Sequence, residues 1–324
     1  MIVAASPAGI AQAAETLRGG GLVALPSETV YGLGADAQND AALRRIFAVK
    51  QRPVGHPLIV HLAEGAALSE WSSSPSTQLQ RLAESFWPGP LTVIVKSAPS
   101  VSRVATGGLQ TVALRVPAHP VFQSVLRILG RGIAAPSANR FGAVSPTCAE
   151  HVEESLGSEV ELILDGGSCQ VGLESTIVDL TLPEPTLIRP GAITPDDLER
   201  VLRQPVARGP TDTAAPGNLP SHYAPRARVE LVMADGLRTR ALELVAAGKS
   251  VAVLAGAIDN LPSNVLRIDW PRALDSAAMR LYAALREADA TQCDVILCVP
   301  PAATGLGIAI LDRLQKAAGP RAGS

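Results

Sequence analysis

Short apolar runs alternate with helical patterns along the chain, and this alternation predicts an α/β protein. Runs such as 22–25 and 91–95 have the length and the aliphatic composition of buried strands. Helices are predicted between such runs, for example over 7–18, which three glycines follow, and over 195–202, which Thr194 precedes as a cap. This order of elements predicts a sheet with flanking helices.

The character of the sequence changes at about residue 204, where a stretch rich in Pro, Gly, Ala and Thr begins. It continues to 228 without a hydrophobic period, which is typical of a linker. Beyond it, predicted strands and helices alternate again, which indicates a smaller Rossmann-like α/β domain. The predicted organisation is therefore a catalytic domain at 1–203, a linker at 204–228 and a C-terminal domain at 229–324.

The predicted linker contains one unusual pair, His222 and Tyr223, in a tract of mostly small residues. Linkers seldom need such side chains, so this pair is a candidate to dock onto the catalytic domain. A simple packing contact is the alternative interpretation.

Composition narrows the classes of function. The 324 residues carry a formal net charge of −2, whereas proteins that bind along a nucleic-acid backbone are usually basic. The sequence has no apolar run of 18 or more residues and no basic leader before an apolar segment, so we expect neither a membrane span nor a signal peptide. The four cysteines lack C-x-x-C spacing, which favours free thiols in a cytoplasmic protein and argues against a zinc site.

Two cations, Lys50 and Arg52, stand at the end of a predicted helix, just before Pro53. Their side chains could surround one anion, with lysine as a point charge and arginine as a fork suited to phosphate or carboxylate. The chain has only four lysines, which gives weight to a lysine at this junction. The alternative is a solvated pair at the negative end of a helix dipole.

A third cation, Arg115, lies inside the apolar run 111–116. An unpaired buried charge is costly, so this arginine needs either a structural salt bridge or a bound carboxylate. The residues alone leave both alternatives open.

A group of small polar residues, Ser137, Asn139, Ser145 and Thr147, follows a short apolar run. Loops beyond the carboxyl ends of strands are where α/β sheets usually bind ligands. Hydroxyl and amide groups in such a loop could hold a phosphate or a nucleotide. An ordinary turn with Thr147 as a helix cap is the alternative.

Several motifs occur in one order along the chain, and together they are specific. They are PSETVYGLGAD, K-x-R, HPLIVHL, FWPGPLT, TVALRVPAHP, APSAN, DGG, GLESTI, RPG and HYAP. In these motifs the sequence resembles the YrdC-like family of threonylcarbamoyl-AMP synthases, in its longer two-domain form. The resemblance implies a YrdC-like twisted open sheet with flanking helices, and a smaller C-terminal Rossmann-like domain. Ser27 stands where many relatives carry threonine, and it keeps the hydroxyl group.

The resemblance also implies a reaction in which L-threonine, bicarbonate (or carbon dioxide) and ATP give threonylcarbamoyl-AMP and pyrophosphate. Other proteins, the downstream tRNA threonylcarbamoyl-transferases, would then modify an adenosine of certain tRNAs. Mg²⁺ would accompany the triphosphate, held more by phosphate oxygens than by carboxylates, so we expect no dedicated metal site.

By this resemblance, Lys50 and Arg52 are the catalytic pair and hold the triphosphate. The other residues of the implied ATP site are Thr111, Ser137, Asn139, Ser145, Arg189 and Tyr223. Tyr223 would close over the nucleotide, and Arg115 would bind the threonine carboxylate. The implied amino-acid pocket is completed by Ser27, His61 and Ser175.

A double-stranded RNA-binding module is the alternative function, because YrdC-like folds have a concave surface that resembles one suited to RNA. The near-neutral charge and the lack of aromatic stacking motifs argue against it, so we expect no stable binding of nucleic acid. A carbamoyl-transfer domain of hydrogenase maturation is disfavoured, since the zinc-finger and acylphosphatase-like neighbours expected of it are missing from the sequence.

Overall fold

The chain forms two compact units. A computed structural model describes residues 1–209, 222–256 and 261–320. The first unit comprises 1–141, 146–170 and 174–218, and the second comprises 142–145, 171–173 and 219–324. Two loops from the predicted catalytic domain thus cluster with the second unit. The predicted domain boundaries stay a prediction, and part of the predicted linker, 210–221, lies outside the described residues.

The first unit is built on a mixed sheet that has eleven strands among the described residues. In chain order they are β1 (Ile2–Ala4), β2 (Val23–Leu25), β3 (Gly32–Asp36), β4 (Ile59–His61), β5 (Leu91–Lys96), β6 (Thr111–Arg115), β7 (Ile133–Ala134), β8 (Leu162–Asp165), β9 (Thr176–Asp179), β10 (Thr186–Arg189) and β11 (Ala207–Arg208). Their order across the sheet is β1-β8-β2-β3-β7-β4-β6-β5-β9-β10-β11. The helices of this unit are α1 (Pro7–Arg18), α2 (Asp40–Lys50), α3 (Thr77–Phe86), α4 (Pro120–Leu129), α5 (Ala149–Leu156) and α6 (Pro195–Leu202).

Helices cover both faces of this sheet, because successive residues of its strands point to opposite faces and both sets are apolar. In β2, Ala24 packs in the cluster that includes Leu43 and Ile46 of α2. Its neighbours Val23 and Leu25 pack in a second cluster, with residues of α1 and α4. The predicted α/β fold, a twisted open sheet with flanking helices, is confirmed.

The hydrophobic pattern does not predict strand β3, nor the short strand β11, which lies inside the predicted linker. The residues of β3, GLGAD, are rich in glycine, yet β3 pairs with both β2 and β7 inside the sheet. A Cβ atom at Gly34 would come within 3.0 Å of Ile133 Cγ2 and 3.1 Å of Leu25 Cδ1. Close packing therefore favours glycine at this position, where β-propensity alone would argue against it.

The second unit has a parallel sheet of four strands among the described residues, in the order β12-β15-β13-β14. The strands are β12 (Arg228–Leu231), β13 (Val251–Ala255), β14 (Leu266–Asp269) and β15 (Val295–Cys298). The helices are α7 (Leu237–Ala246), α8 (Leu274–Ala290) and α9 (Gly307–Ala317). Val253 and Leu297 pack against α7, and the alternate residue Leu254 is equally buried, so both sheet faces are covered. A second, smaller α/β domain is confirmed. None of the described helices combines the length and the apolar character needed to span a membrane.

Candidate active site

The two cations at the end of α2 are both buried. Helix α2 ends at Lys50, and Gln51 adopts a left-handed conformation with a φ of 53°, which turns the chain sharply. The Arg52 N–H donates to the Phe47 carbonyl at 2.9 Å, so this turn is tied to the helix. Only 2% of Lys50 and 7% of Arg52 is exposed to solvent. The alternative interpretation, a solvated pair at a helix end, is therefore wrong.

The Lys50 ammonium group is held by backbone carbonyls of the loop after β7. Its Nζ donates to Ser137 O and to Asn139 O, both at 2.5 Å. Burial lowers the pKa of Lys50 well below its usual value, and the nearby charges of Arg52 and Arg140 lower it further. An ammonium group has three donors, of which the described residues use two. The third is available to an anion, whose charge would favour the protonated form.

Arg52 lies against the same loop. Its Nη2 donates to Pro57 O at 3.0 Å, and its guanidinium carbon lies 5.9 Å from the centroid of the Phe141 ring. The ring of His56 meets Phe141 edge-on at 5.7 Å, and partial burial and the charge of Arg52 lower the pKa of His56. We call the segment 50–57 together with the loop 137–141 the basic wall. Its cations suit a polyphosphate.

The loop between β2 and β3 connects the basic wall to a second group of site residues. Ser27 shapes the start of this loop: its hydroxyl oxygen accepts from the Thr29 N–H at 3.1 Å and lies 2.9 Å from Thr29 Oγ1. Near the end of the loop, the Tyr31 carbonyl accepts from the Ala138 N–H at 2.8 Å. The loop therefore fixes Glu28 and Thr29 relative to the basic wall.

Arg115, the last residue of β6, is buried and paired with a carboxylate of that loop. Its Nη2 donates to Glu28 Oε1 at 2.6 Å and its Nη1 to Thr29 Oγ1 at 2.9 Å. Its Nε donates to Gly89 O at 3.2 Å, and Glu28 Oε2 accepts from the Ala118 N–H at 3.1 Å. Of the two alternatives that the sequence leaves open, the structural salt bridge is confirmed. The binding of a substrate carboxylate stays a prediction.

The charge of Arg115 affects the ionisation of two neighbours. Burial alone would raise the pKa of Glu28, but the charge and the hydrogen bond of Arg115 outweigh it, so this pKa is lowered. His61 is aligned with Arg115 in the β4–β6 pair and stacks on Phe122, with ring centroids 5.0 Å apart. Burial and the charge of Arg115 lower the pKa of His61 to about 3. The pocket thus holds a neutral imidazole beside an ion pair.

Ser175 and Arg189, which were predicted to serve different substrates, are direct neighbours. Arg189 Nη2 donates to Ser175 Oγ at 3.1 Å, and its Nε donates to Ser175 O at 3.0 Å. Ser175 Oγ also lies 2.7 Å from Thr92 Oγ1. The next backbone N–H, that of Thr176, donates to Pro90 O at 3.0 Å. Pro90 follows Gly89, whose carbonyl accepts from Arg115 Nε, so the Ser175–Arg189 pair lies near Arg115 along the backbone.

Thr111 lies at the opposite end of β6 from Arg115. It is the first residue of β6, whereas Arg115 is the last, so about 13 Å of strand separates them at roughly 3.3 Å per residue. Its side-chain hydroxyl makes no hydrogen bond within the part of the chain that the structure describes. Its place in the ATP site stays a prediction.

Ser145 and Tyr223, the remaining predicted residues, belong to the second unit, and both are buried. Tyr223 has a φ of 61° and lies between Tyr282, 5.7 Å away by ring centroids, and Arg313, whose guanidinium carbon is 5.3 Å from the Tyr223 centroid. The side chain thus packs within its own unit. Its predicted closure over a nucleotide stays a prediction, as does the role of Ser145.

The sequence interpretation missed Glu28 and Thr29. They are the two residues that follow Ser27, which was among the predicted site residues, and both are buried. An arginine within an apolar strand implies a partner, and the acidic residue of the PSET motif was a candidate for it. The residues alone did not link the two positions, because they are 87 residues apart.

The described residues contain no group of three or more His, Cys, Asp or Glu side chains arranged to hold a metal ion. The acidic side chain nearest to Arg115 is already paired with it. The prediction that Mg²⁺ accompanies the triphosphate stays a prediction.

Comparison with known protein families covers nearly the whole chain. A family model described as "Telomere recombination" matches residues 15–191, and one described as "Threonylcarbamoyl-AMP synthase, C-terminal domain" matches residues 193–319. A Pyrococcus abyssi protein named threonylcarbamoyl-AMP synthase is 42% identical over 95% of this chain and 94% of its own length. A Bacillus subtilis protein of the same name is 39% identical over 96% of this chain and 93% of its own length.

Solved structures agree with these sequence relatives. The crystal structure of P. abyssi Sua5 complexed with L-threonine matches with a TM-score of 0.92 and 39% identity, covering 98% of this chain and 97% of that chain. The structure of E. coli YciO matches 59% of this chain and 94% of its own, with a TM-score of 0.51 and 28% identity. Two family models and relatives of full length lead to one conclusion. This chain belongs to the two-domain family of threonylcarbamoyl-AMP synthases.

Proposed function

We propose that this protein is a nucleotidyltransferase that makes threonylcarbamoyl-AMP from L-threonine, bicarbonate and ATP. Relatives over nearly the full chain carry that name, and one was solved with L-threonine bound. The observation that carries the proposal lies in the first unit. A basic wall suited to a polyphosphate and a buried guanidinium suited to a carboxylate are joined by the short loop 27–31.

The reaction needs one carbamate and one phosphoryl transfer. The threonine amine combines with bicarbonate and releases water, which gives an N-carboxylate anion. An oxygen of this carbamate attacks the α-phosphorus of ATP, the bond to the β-phosphate oxygen breaks, and pyrophosphate leaves. Such a transfer depends mainly on positioning and on neutralising charge, which are the tasks that a set of buried cations can perform.

Lys50 and Arg52 hold the triphosphate and stabilise the leaving pyrophosphate. The free donor of Lys50 and the fork of Arg52 offer complementary contacts to phosphate oxygens. The rest of the ATP site in this proposal is formed by Thr111, Ser137, Asn139, Ser145, Arg189 and Tyr223. Mg²⁺ enters with ATP and is held by phosphate oxygens, where it offsets part of their charge.

Arg115 binds the threonine carboxylate in this proposal. Ser27, His61 and Ser175 line the rest of the amino-acid pocket, and the neutral His61 offers a hydrogen bond without a charge. The carbamate is fragile in water, and the burial of these side chains provides the shelter that it needs. The product passes to transferase proteins that modify tRNA, and we place the reaction in the cytoplasm.

The proposal is tested by incubating the protein with ATP, Mg²⁺, bicarbonate and L-threonine. We expect pyrophosphate release that depends on threonine and bicarbonate, and an acyl-adenylate detectable by mass spectrometry. Lys50→Ala should lower kcat/KM by about 10²–10³, the usual effect of removing one charge-stabilising donor. Lys249→Ala, at an exposed lysine of the second unit, is the matched control and should leave turnover unchanged. Absence of pyrophosphate from the unaltered protein would refute the proposal.

A further inference from the structure

Glu28 uses both oxygens of a buried carboxylate on two different partners. Oε1 accepts from Arg115 Nη2 at 2.6 Å, and Oε2 accepts from the Ala118 N–H at 3.1 Å. Arg115 and Ala118 stand on either side of the end of β6, so one carboxylate ties the arginine side chain to the backbone that follows it. The group is 5% exposed, and a buried carboxylate is tolerated only where it is paired in this way.

The donors of Arg115 can be counted. A guanidinium group has five N–H bonds. The described residues accept three of them: one from Nε, one from Nη1 and one from Nη2, taken by Gly89, Thr29 and Glu28 in that order. One N–H on each terminal nitrogen is left, and each can donate to an oxygen of a carboxylate. The three hydrogen bonds to Gly89, Thr29 and Glu28 fix the plane and the rotation of the Arg115 guanidinium, which carries the two remaining N–H donors.

We infer that Glu28 is a positioning residue for the amino-acid substrate: through Arg115 and with Thr29, it holds the guanidinium in the orientation that receives the threonine carboxylate. This inference rests on the proposed function and adds to it a residue that touches no reacting atom. A carboxylate beside the arginine also reduces the net charge that the substrate carboxylate meets. Orientation, more than attraction, is therefore what the pair contributes to binding.

A role for Glu28 as a general base does not fit its surroundings. Both of its oxygens are engaged, and its lowered pKa leaves it ionised and weakly basic at neutral pH. A positioning residue predicts a different kinetic pattern from a base. Loss of a base lowers kcat, whereas loss of orientation at the carboxylate raises KM for threonine.

The test is Glu28→Gln, which keeps the size of the side chain and one of its two acceptor oxygens, but removes the charge and places an NH2 group against one of the two donors. We expect KM for threonine to rise about tenfold or more, while KM for ATP stays within about twofold and kcat at saturating threonine within about threefold. Pyrophosphate release gives all three constants, and calorimetric titration with threonine gives the affinity independently.

Asp36→Asn is the matched control. Asp36 is a buried carboxylate of β3 with the same pattern: one oxygen pairs with Arg131 at 2.8 Å, and the other accepts from the Gln38 N–H at 2.9 Å. Its side-chain hydrogen bonds within the described residues go to Arg131 and Gln38, neither of which is in the predicted threonine pocket. We expect its substitution to lower the melting temperature without changing KM for threonine.

The outcomes separate the inference from the proposed function. If the unaltered protein releases no threonine-dependent pyrophosphate, the proposed function fails. If it is active and Glu28→Gln leaves KM for threonine unchanged, the inference alone fails. An equal rise of that KM in Glu28→Gln and Asp36→Asn would reduce Glu28 to a structural role and would also overturn it.

A second pair of variants applies if Glu28→Gln does not fold. Thr29→Val removes the hydroxyl that accepts from Arg115 Nη1 at 2.9 Å, with little change of shape. We expect KM for threonine to rise about threefold to tenfold, and Thr29→Ser, which keeps the hydroxyl, to restore it. Unchanged KM in a folded Thr29→Val protein would contradict the inference.

Discussion

At the scale of one residue, the ionisation of Lys50 is set by its burial and is expected to change when an anionic ligand binds. An ammonium group between two carbonyls, with two cations nearby, is poorly solvated, and its pKa is well below that of a free lysine. Arginine could not serve in this way, because it stays charged at every physiological pH. A polyphosphate would supply the missing counter-charge and would favour the protonated form.

This coupling predicts that ATP binding takes up a proton at Lys50. Since the pKa of the free protein's Lys50 is lowered, the protonated fraction falls as the pH rises, and ATP affinity should fall with it. Calorimetric titration with ATP at about pH 8.5, above the ordinary range of imidazole, in buffers of different ionisation enthalpy, measures the uptake without a contribution from His56. Lys50→Met should take up no proton at this pH. Equal uptake by both proteins would contradict the prediction.

The residues of the site differ in how well the sequence predicts them. Lys50 and Arg52 stand two residues apart, and the predicted helix end just before Pro53 implies that they act together. Their burial could not be predicted, because it depends on the loop 137–141, far along the chain. The pairing of Glu28 with Arg115 is also a long-range contact, for which a single sequence, taken by itself, carries no direct evidence.

Elements were predicted well where their determinants are local. Helix α1 has its predicted bounds, 7–18, and α6 begins after Thr194, whose hydroxyl caps it together with Asp197. Strand β3 was missed because glycine has a low strand propensity, and the close contacts that favour glycine there come from other strands.

Gly191, in the RPG motif after β10, supplies a prediction at the element scale. A Cβ atom there would lie 2.4 Å from Thr176 N and 2.8 Å from Glu174 O, so Gly191→Ala must displace the backbone on both sides of Ser175. Overpacking of this kind costs about 1–3 kcal/mol. We expect a lower melting temperature and a raised KM for threonine, measured by calorimetry and by pyrophosphate release.

The control for this change is Gly19→Ala, at the end of α1. The nearest atom to a Cβ there is Glu15 O at 3.5 Å, which is ordinary contact, and Gly19 has a φ of −74° that alanine adopts freely. We expect a change within about 0.5 kcal/mol. If the Gly191→Ala protein is as stable and as active as this control, the backbone around Ser175 can relax to accommodate the added Cβ atom, and the prediction is wrong.

The whole molecule differs from a simple pair of consecutive domains. The loops 142–145 and 171–173 precede the predicted linker, yet they belong to the second unit. There, Arg286 donates to Val144 O at 2.6 Å and the Ala224 N–H donates to Gly142 O at 2.8 Å. A change in composition and hydrophobic pattern along the chain can indicate a linker. Neither property indicates that a loop packs in a unit formed by residues far away in sequence.

Removal of residues 229–324 should therefore weaken the ATP site without abolishing the reaction. The large sheet keeps its strands, but the loop 142–145, which includes the predicted ligand Ser145, loses the hydrogen bond from Arg286. The loss of about one hydrogen bond is worth roughly 1 kcal/mol, or about fivefold in affinity. We expect partial activity, with KM for ATP raised about fivefold or more and KM for threonine less affected, in a truncated chain shown to be folded by circular dichroism.

The variant Gly172→Ala tests the same prediction in the full-length chain, without removal of residues 229–324. Gly172 has a φ of 74°, and a Cβ there would lie 2.5 Å from Met279 Cα of α8, so alanine must push the loop 171–173 away from that helix. If the second unit acts by holding these loops, both changes should impair turnover in a folded protein. Full activity and an unaltered KM for ATP in both would mean that the first unit forms the site without that support.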